Sequence, residues 1–223
     1  MSVLAIAQVE DRANLDKQIL KQTVQPDRVT FFVDKNPAKG FDERRRRIAE
    51  NHTVLKNIVK AYDYDLVWQL EGDCDLPDYC LELLLADYEH LKSKDKNLGY
   101  ISGIQIGRHG VYAIGAWHIA KDRQTFRSVD YRLRGIKKVD ATGFYCLLAD
   151  RETWLSGESS WNGEGWGPDV NWGLSLEKNI YVDMDLHIGH NIKRGTILPS
   201  HDSTCNVHFY KNVNNRWVYK IEQ

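Results

Sequence analysis

The sequence predicts an α/β fold in one domain spanning residues 1–223, with a central, mostly parallel sheet and helices on both faces. Three observations carry that expectation. Short apolar runs at 3–7, 29–33 and 66–70 alternate with stretches of helical spacing. Strand, helix and strand within about 30 residues is a βαβ unit, whose parallel strands are buried on both faces. No linker, repeat or low-complexity stretch divides the 223 residues, a length that buries one core without staples.

The elements follow in order. After the first run, Leu15, Ile19 and Leu20 place a helix within 13–24, and Pro26 ends it. The second run closes on Asp34, before a loop marked by Asn36-Pro37 and Gly40. Ile48, Leu55, Ile58, Val59 and Tyr62 set the inner face of a helix over 42–62. The third run leads into Glu71-Gly72-Asp73-Cys74-Asp75-Leu76-Pro77, and Pro77 starts a helix with Leu81, Leu84, Leu85, Tyr88 and Leu91 on one face. Residues 99–106 and 139–149 are strand candidates, 169–178 reads as a helix, and 180–182 as a short strand. Residues 1–100 thus alternate strictly, and 101–223 form an irregular half rich in Gly, Trp and His. In such sheets ligands bind outside the carboxyl ends of the strands, so the loops after Val9, Val33 and Leu70 are where chemistry is expected.

Composition narrows the function classes. Thirty basic residues against 31 acidic ones leave a net charge of −1, which argues against a protein that grips bulk nucleic acid through phosphates. No run of about 18 apolar residues exists to span a membrane. The start, Met1-Ser2-Val3-Leu4, has no basic segment followed by a long apolar stretch, so a cytoplasmic location is expected. Cys74, Cys80, Cys146 and Cys205 form no C-x-x-C pair and read as reduced thiols. Seven tryptophans and eleven tyrosines fit a core or a stacking cleft.

The sharpest chemical signal is Asp73-Cys74-Asp75, directly after a buried strand. Two carboxylates one residue apart in an extended turn can share one hard divalent cation. Such an ion keeps positions for phosphate oxygens and stabilises charge on a departing diphosphate. The plainer role for the pair is a solvated loop capping the next helix. Asp34 can accept hydrogen bonds from a base or a ribose. In the run Arg44-Arg45-Arg46-Arg47, successive side chains point about 100° apart, so one or two face a pocket; Arg47 is the first choice for a phosphate. The stretch 163–172, Gly-Glu-Gly-Trp-Gly-Pro-Asp-Val-Asn-Trp, combines glycines for close approach, a tryptophan platform and an acid at a helix mouth. Asp169 is the first candidate base there and Glu164 the second. In His187-Ile188-Gly189-His190, one imidazole beside Asp73 and Asp75 would complete a three-residue shell, and His187 reads as a buried, hydrogen-bonded histidine.

The order of these motifs resembles the GT-A class of nucleotide-sugar-dependent glycosyltransferases, and the family-two type most, over residues 3–191. The resemblance implies a Rossmann-like nucleotide-binding half over 1–100, and an acceptor half with a C-terminal lid over 101–223. It sets Gln8, Glu10 and Arg12 in the first nucleotide loop, with Asp34, Arg47 and Asp73 as further donor contacts. Asp73-Cys74-Asp75 matches the family's D-x-D. Asp75 would then be the principal ligand of Mn2+ or Mg2+, Asp73 would contact the ribose, the metal or both, and His190 would be the third protein ligand. Residues 140–144, with Gly143, look like the strand lining the donor sugar, and Gly165 and Trp166 stand in the acceptor loop. The implied reaction moves a sugar from a nucleoside-diphosphate sugar, a UDP-sugar first, to an acceptor hydroxyl, with inversion and an Asp base. The chain departs from the family in carrying Gly-Pro-Asp where many relatives have Glu-Asp, and in lacking the membrane segments of processive synthases. Residues 192–205 are expected to act as a lid. Two other classes compete: a nucleotidyltransferase acting on sugar phosphates, and a non-catalytic carbohydrate-binding protein.

Overall fold

The structure is a computed structural model and describes residues 1–10, 13–35, 40–106, 113–121, 125–161, 167–192, 195–200, 204–211 and 217–221. In chain order the elements are β1 (Val3–Val9), α1 (Ala13–Leu20), β2 (Arg28–Val33), α2 (Phe41–Lys60), β3 (Leu66–Glu71), β4 (Cys74–Asp75), α3 (Cys80–Lys94), β5 (Leu98–Ile104), β6 (Ala116–Ile119), β7 (Thr125–Ser128), β8 (Ile136–Val139), β9 (Ala141–Thr142), β10 (Cys146–Asp150), α4 (Arg151–Ser156), α5 (Pro168–Ser175), β11 (Asn179–His187), β12 (Gly189–Ile192), β13 (Gly195–Ile197), β14 (Val207–Lys211) and β15 (Trp217–Ile221).

The fold is mixed α/β around a seven-stranded sheet of order β2-β1-β3-β10-β5-β11-β8. β1 pairs parallel with β2 and β3, and β11 pairs parallel with β5. The expected, mostly parallel arrangement is corrected at two places: β10 runs antiparallel between β3 and β5, and β8 runs antiparallel along β11. Continuous apolar strands are what a sheet covered on both faces requires. Leu15 and Ile19 of α1 and Leu81, Leu84 and Tyr88 of α3 pack on one face. Leu55 and Val59 of α2, Trp154 of α4 and Trp172 of α5 pack on the other.

Several local readings shift. Leu20, expected on the inner face of α1, is exposed. The single strand expected over 139–149 breaks into β8, β9 and β10, because the Gly143 N–H donates to the Gly115 carbonyl and draws β9 into a second sheet of order β15-β14-β7-β6-β9. The helix expected to reach 178 stops earlier, and Glu177 adopts a left-handed φ of 51°, which a helix cannot carry. The short strand at 180–182 extends to nine residues as β11. Within the expected lid, β13 pairs with β12, while 193–194 and 201–203 lie outside the described residues. Gln69, a polar residue inside β3, is satisfied by the Trp154 indole N–H at 2.8 Å. Trp68, Trp154 and Trp172 are fully buried, so these three serve the core rather than a stacking cleft. Among the described residues no helix is long and apolar enough to cross a membrane, and all four cysteines are free thiols.

Candidate functional site

The site residues gather at one edge of the main sheet because the parallel strands β1, β2 and β3 end there in register. The Asp34 N–H donates to the Val9 carbonyl at 2.9 Å, and the Gly72 N–H donates to the Gln8 carbonyl at 3.1 Å. The Glu71 N–H donates to the Tyr145 carbonyl at 3.1 Å, which brings the start of β10 to the same edge.

The turn after β3 is held from four sides. Gln18 of α1 donates to the Cys74 carbonyl at 3.2 Å and accepts the Leu76 N–H at 2.6 Å. The Asn191 N–H donates to the Asp73 carbonyl at 2.7 Å, and β12 pairs antiparallel with β4. Gln105 donates to the Gly189 carbonyl at 3.2 Å. Cys74 points inward and its thiol donates to the Tyr145 carbonyl at 2.8 Å. Burial and the neighbouring Asp73 charge push that thiol well above its ordinary pKa, so it is an inert packing group.

This clamp brings Asp73 and His190 together: His190 Nε2 lies 3.4 Å from Asp73 Oδ2, with the histidine almost fully buried. His190 Nδ1 lies 2.7 Å from the Ile106 carbonyl. A carbonyl only accepts, so Nδ1 carries a hydrogen, and Nε2 is the ring nitrogen that faces the carboxylate. Nε2 at that distance meets the carboxylate either as an N–H donor or, unprotonated, as one of two groups that share a metal ion. A carboxylate oxygen and an oriented imidazole nitrogen form a donor set that suits Mn2+ better than the all-oxygen preference of Mg2+. Asp75, the expected principal ligand, is exposed and sits across the ladder from Gly189. A Cβ on Gly189 would come within 2.7 Å of the Asp75 Cβ, so the glycine is what allows this approach. Among the described residues no three His, Cys, Asp or Glu side chains converge as metal ligands. Two of the three expected ligands meet, and oxygens of a bound diphosphate would have to supply further ligands. His187 lies 3.1 Å through Nε2 from the Met184 carbonyl, at the end of β11.

At the end of β2, Asp34 is gripped by α2. Arg47 pairs with it directly, and the Asn51 amide donates to it at 2.8 Å. Arg47, expected to meet a phosphate, thus has a carboxylate partner within the chain. Gln8 lines a cleft of about 10 Å³ with His52, Gln69, Glu71 and Phe144, room for one water molecule. His52 is stacked on Phe144 at 4.9 Å and 6°, and burial pushes its pKa down to about 3, so it is neutral. Glu10 is exposed beyond β1.

Asp169 opens α5. Gly167 is the residue before the helix, and a Cβ there would collide with Asp169 Oδ1; its absence lets the carboxylate fold back onto the helix N-terminus and accept the Val170 N–H. The other oxygen, Oδ2, lies 3.6 Å from where a Gly143 side chain would begin. Burial raises the Asp169 pKa, opposed by the Val170 N–H and the Arg45 charge. Arg12, Glu164, Gly165 and Trp166 lie outside the described residues. Gln18, Gln105, Asn51 and His52 were not singled out by sequence reasoning; apart from their positions on two helices and after a strand, nothing in their local sequence marks them.

No protein-family model matches this chain, and no curated protein matches it. The crystal structure of A197 from STIV is similar in fold, with a TM-score of 0.58 over 100% of this chain and 96% of A197, at 12% identity. At that identity the likeness concerns the fold alone.

Proposed function

We propose that this protein is a metal-dependent, GT-A-type glycosyltransferase, a single domain that moves a sugar from a UDP-sugar to an acceptor hydroxyl. The observation that carries this reading is the Asp73–His190 pair, in which an imidazole oriented by a backbone carbonyl turns Nε2 toward the first acid of a D-x-D turn at the strand ends. Asp73 and His190 would hold Mn2+ together with diphosphate oxygens, and the exposed Asp75, across from Gly189, would be the further protein ligand. The ion supplies charge stabilisation for the departing nucleoside diphosphate.

The chain's own residues account for the rest. Asp34, fixed by Arg47 and Asn51, presents a rigid acceptor edge to a ribose or base. Asp169 stands over Gly143 as the general base for the acceptor hydroxyl. Its carboxyl combines a burial-raised pKa with an orientation fixed by the helix N-terminus, as proton abstraction requires. Attack opposite the departing diphosphate would invert the anomeric centre.

The test is release of free nucleotide (UDP, GDP, dTDP or CMP) from a panel of UDP-, GDP-, dTDP- and CMP-sugars, with Mn2+ and with EDTA. Metal-dependent release of UDP, lost in Asp73→Asn, is expected. Release of pyrophosphate from a nucleoside triphosphate supplied with a sugar phosphate would instead identify a nucleotidyltransferase, and sugar binding without nucleotide or metal a carbohydrate-binding protein.

A further inference from the structure

The seven-stranded sheet ends on two strands of opposite character. At one end β8 is short, Ile136-Lys137-Lys138-Val139, and its two adjacent lysines are the ordinary protection of an open edge. At the other end β2 reads Arg28-Val29-Thr30-Phe31-Phe32-Val33. It has no proline, no charge after its first position and no shift in its register with β1. Val29 and Val33 are 36% and 40% exposed, and Phe31 between them is half-buried. Among the described residues no strand lies on its outer side. A regular, apolar edge of this kind is a template for one more strand.

Backbone direction fixes what this edge offers. The Asp34 N–H reaches back to the Val9 carbonyl, while the Gln8 carbonyl turns the other way, to the Gly72 N–H. Ladder groups alternate along a strand, so Thr30 and Phe32 bond to β1, and the N–H and C=O groups of Val29, Phe31 and Val33 point outward. Antiparallel pairing with a second β2, centred on Phe31, satisfies all three residues: Phe31 meets Phe31, and Val29 meets Val33. In that register Arg28 falls opposite Asp34, and the exposed Asp27 opposite the exposed Lys35, at both ends. A shift of two residues either way sets Lys35 against Gln25 or Val29 and loses both charge pairs. α2 runs antiparallel along the same edge, because Arg47 and Asn51 hold Asp34 at one end and the Arg28 guanidinium lies 4.1 Å over the Tyr62 ring at the other. Between those anchors Val54 of α2 is exposed.

We propose that the β2 edge is a homodimer interface, on which a second copy of this chain adds its own β2 antiparallel and centred on Phe31. The two seven-stranded sheets become one continuous sheet across a two-fold axis. The contact is isologous, so a single self-complementary patch supplies both halves. The axis stands normal to the sheet, which brings the two α2 helices side by side and covers Val54. This pairing is independent of any reaction at the strand ends.

Sedimentation equilibrium of the full chain at about 100 μM should give twice the chain mass of 25.8 kDa. Val29→Pro removes an outward N–H and leaves the ladder to β1 intact. It should stay folded by circular dichroism and sediment at the single-chain mass. Lys35→Glu sets like charges opposite each other at both ends and should raise the dimer dissociation constant about tenfold. Deuterium exchange then locates the contact. The Phe31 and Val33 amides should exchange about tenfold more slowly, or slower still, in wild type than in Val29→Pro, whereas the Phe32 amide, bonded to β1, should be slow in both. Lys35→Glu, diluted to the single chain, gives the same comparison if Val29→Pro does not fold. A wild-type chain that sediments at the single-chain mass overturns the proposal. So does a dimer that both variants leave unchanged, or one whose Phe31 and Val33 amides exchange as fast as in the single chain.

Discussion

Gln18 holds the backbone of Cys74 from the opposite side of the turn to His190: its amide nitrogen donates to the Cys74 carbonyl at 3.2 Å while its oxygen accepts the Leu76 N–H at 2.6 Å. A side chain of α1 thereby closes both ends of a two-residue strand that carries Asp75 and follows Asp73. Gln18→Ala leaves a buried N–H and a buried carbonyl without that partner. The expected cost is about 1–3 kcal/mol, read as a lower urea midpoint. The proposed centre should suffer as well, with Mn2+ binding by calorimetry weakened more than the global stability change explains.

The Ile106 carbonyl fixes a hydrogen on Nδ1 of His190, the proposed metal ligand. His190→Ala should abolish the thermal shift that Mn2+ produces and weaken binding at least tenfold, while the circular dichroism spectrum stays native. His190→Lys would place a cation at Asp73 without a lone pair. That variant should be folded, insensitive to Mn2+ and inactive in donor release. A wild-type response to Mn2+ in either variant would remove His190 from the centre.

Gly189 is set by a contact rather than by backbone conformation. A Cβ there would stand 2.7 Å from the Asp75 Cβ and 2.7 Å from Thr196 Cγ2, so Gly189→Ala must separate β12 from β4 or push Asp75 outward. Destabilisation of about 1–3 kcal/mol is expected. Crystallography of the variant should find the Asp73 to His190 separation lengthened beyond 3.4 Å.

Farther along the same face of the sheet, Asp87 of α3 is hydrogen-bonded to the buried Asp183 of β11, and burial together with the Asp183 charge pushes its pKa up to about 7. The folded chain therefore keeps a proton on Asp87 that the unfolded chain loses near its ordinary carboxylate pKa. Stability should fall as pH rises from about 4 to about 7, and level off above. Asp87→Asn keeps a donor to Asp183 without the proton. It should flatten the slope and raise stability at pH 8 by on the order of 1 kcal/mol, checked by urea unfolding at pH 5 and pH 8.

Much of the first half was legible because its signals are local. An apolar run with a helical stretch on either side specifies a buried parallel strand wherever it lies, and β1, β2, β3, α2 and α3 appear close to their expected places. The second half was harder to read because its strands are short and change sheets. Nothing in 139–149 announces that Gly143 will hydrogen-bond to Gly115 and divert the chain, or that β10 will enter the sheet antiparallel.

By itself, the sequence determined the α/β class, the edge of the sheet where acids collect, and the candidates Asp34, Asp73, Asp169 and His190. Each follows from residue type and from position at the end of a periodic segment. Tertiary structure alone decided which of them meet. The β4–β12 register and the Ile106 carbonyl bring His190 to Asp73 and leave Asp75 across from Gly189. The facing of α2 assigns Arg47 to Asp34 and turns Arg45 over the Trp161 ring. Pairings of this kind depend on strand register and on the rotation of a helix about its axis. Those are settled by burial summed over the whole core, and no short stretch of residues contains that sum.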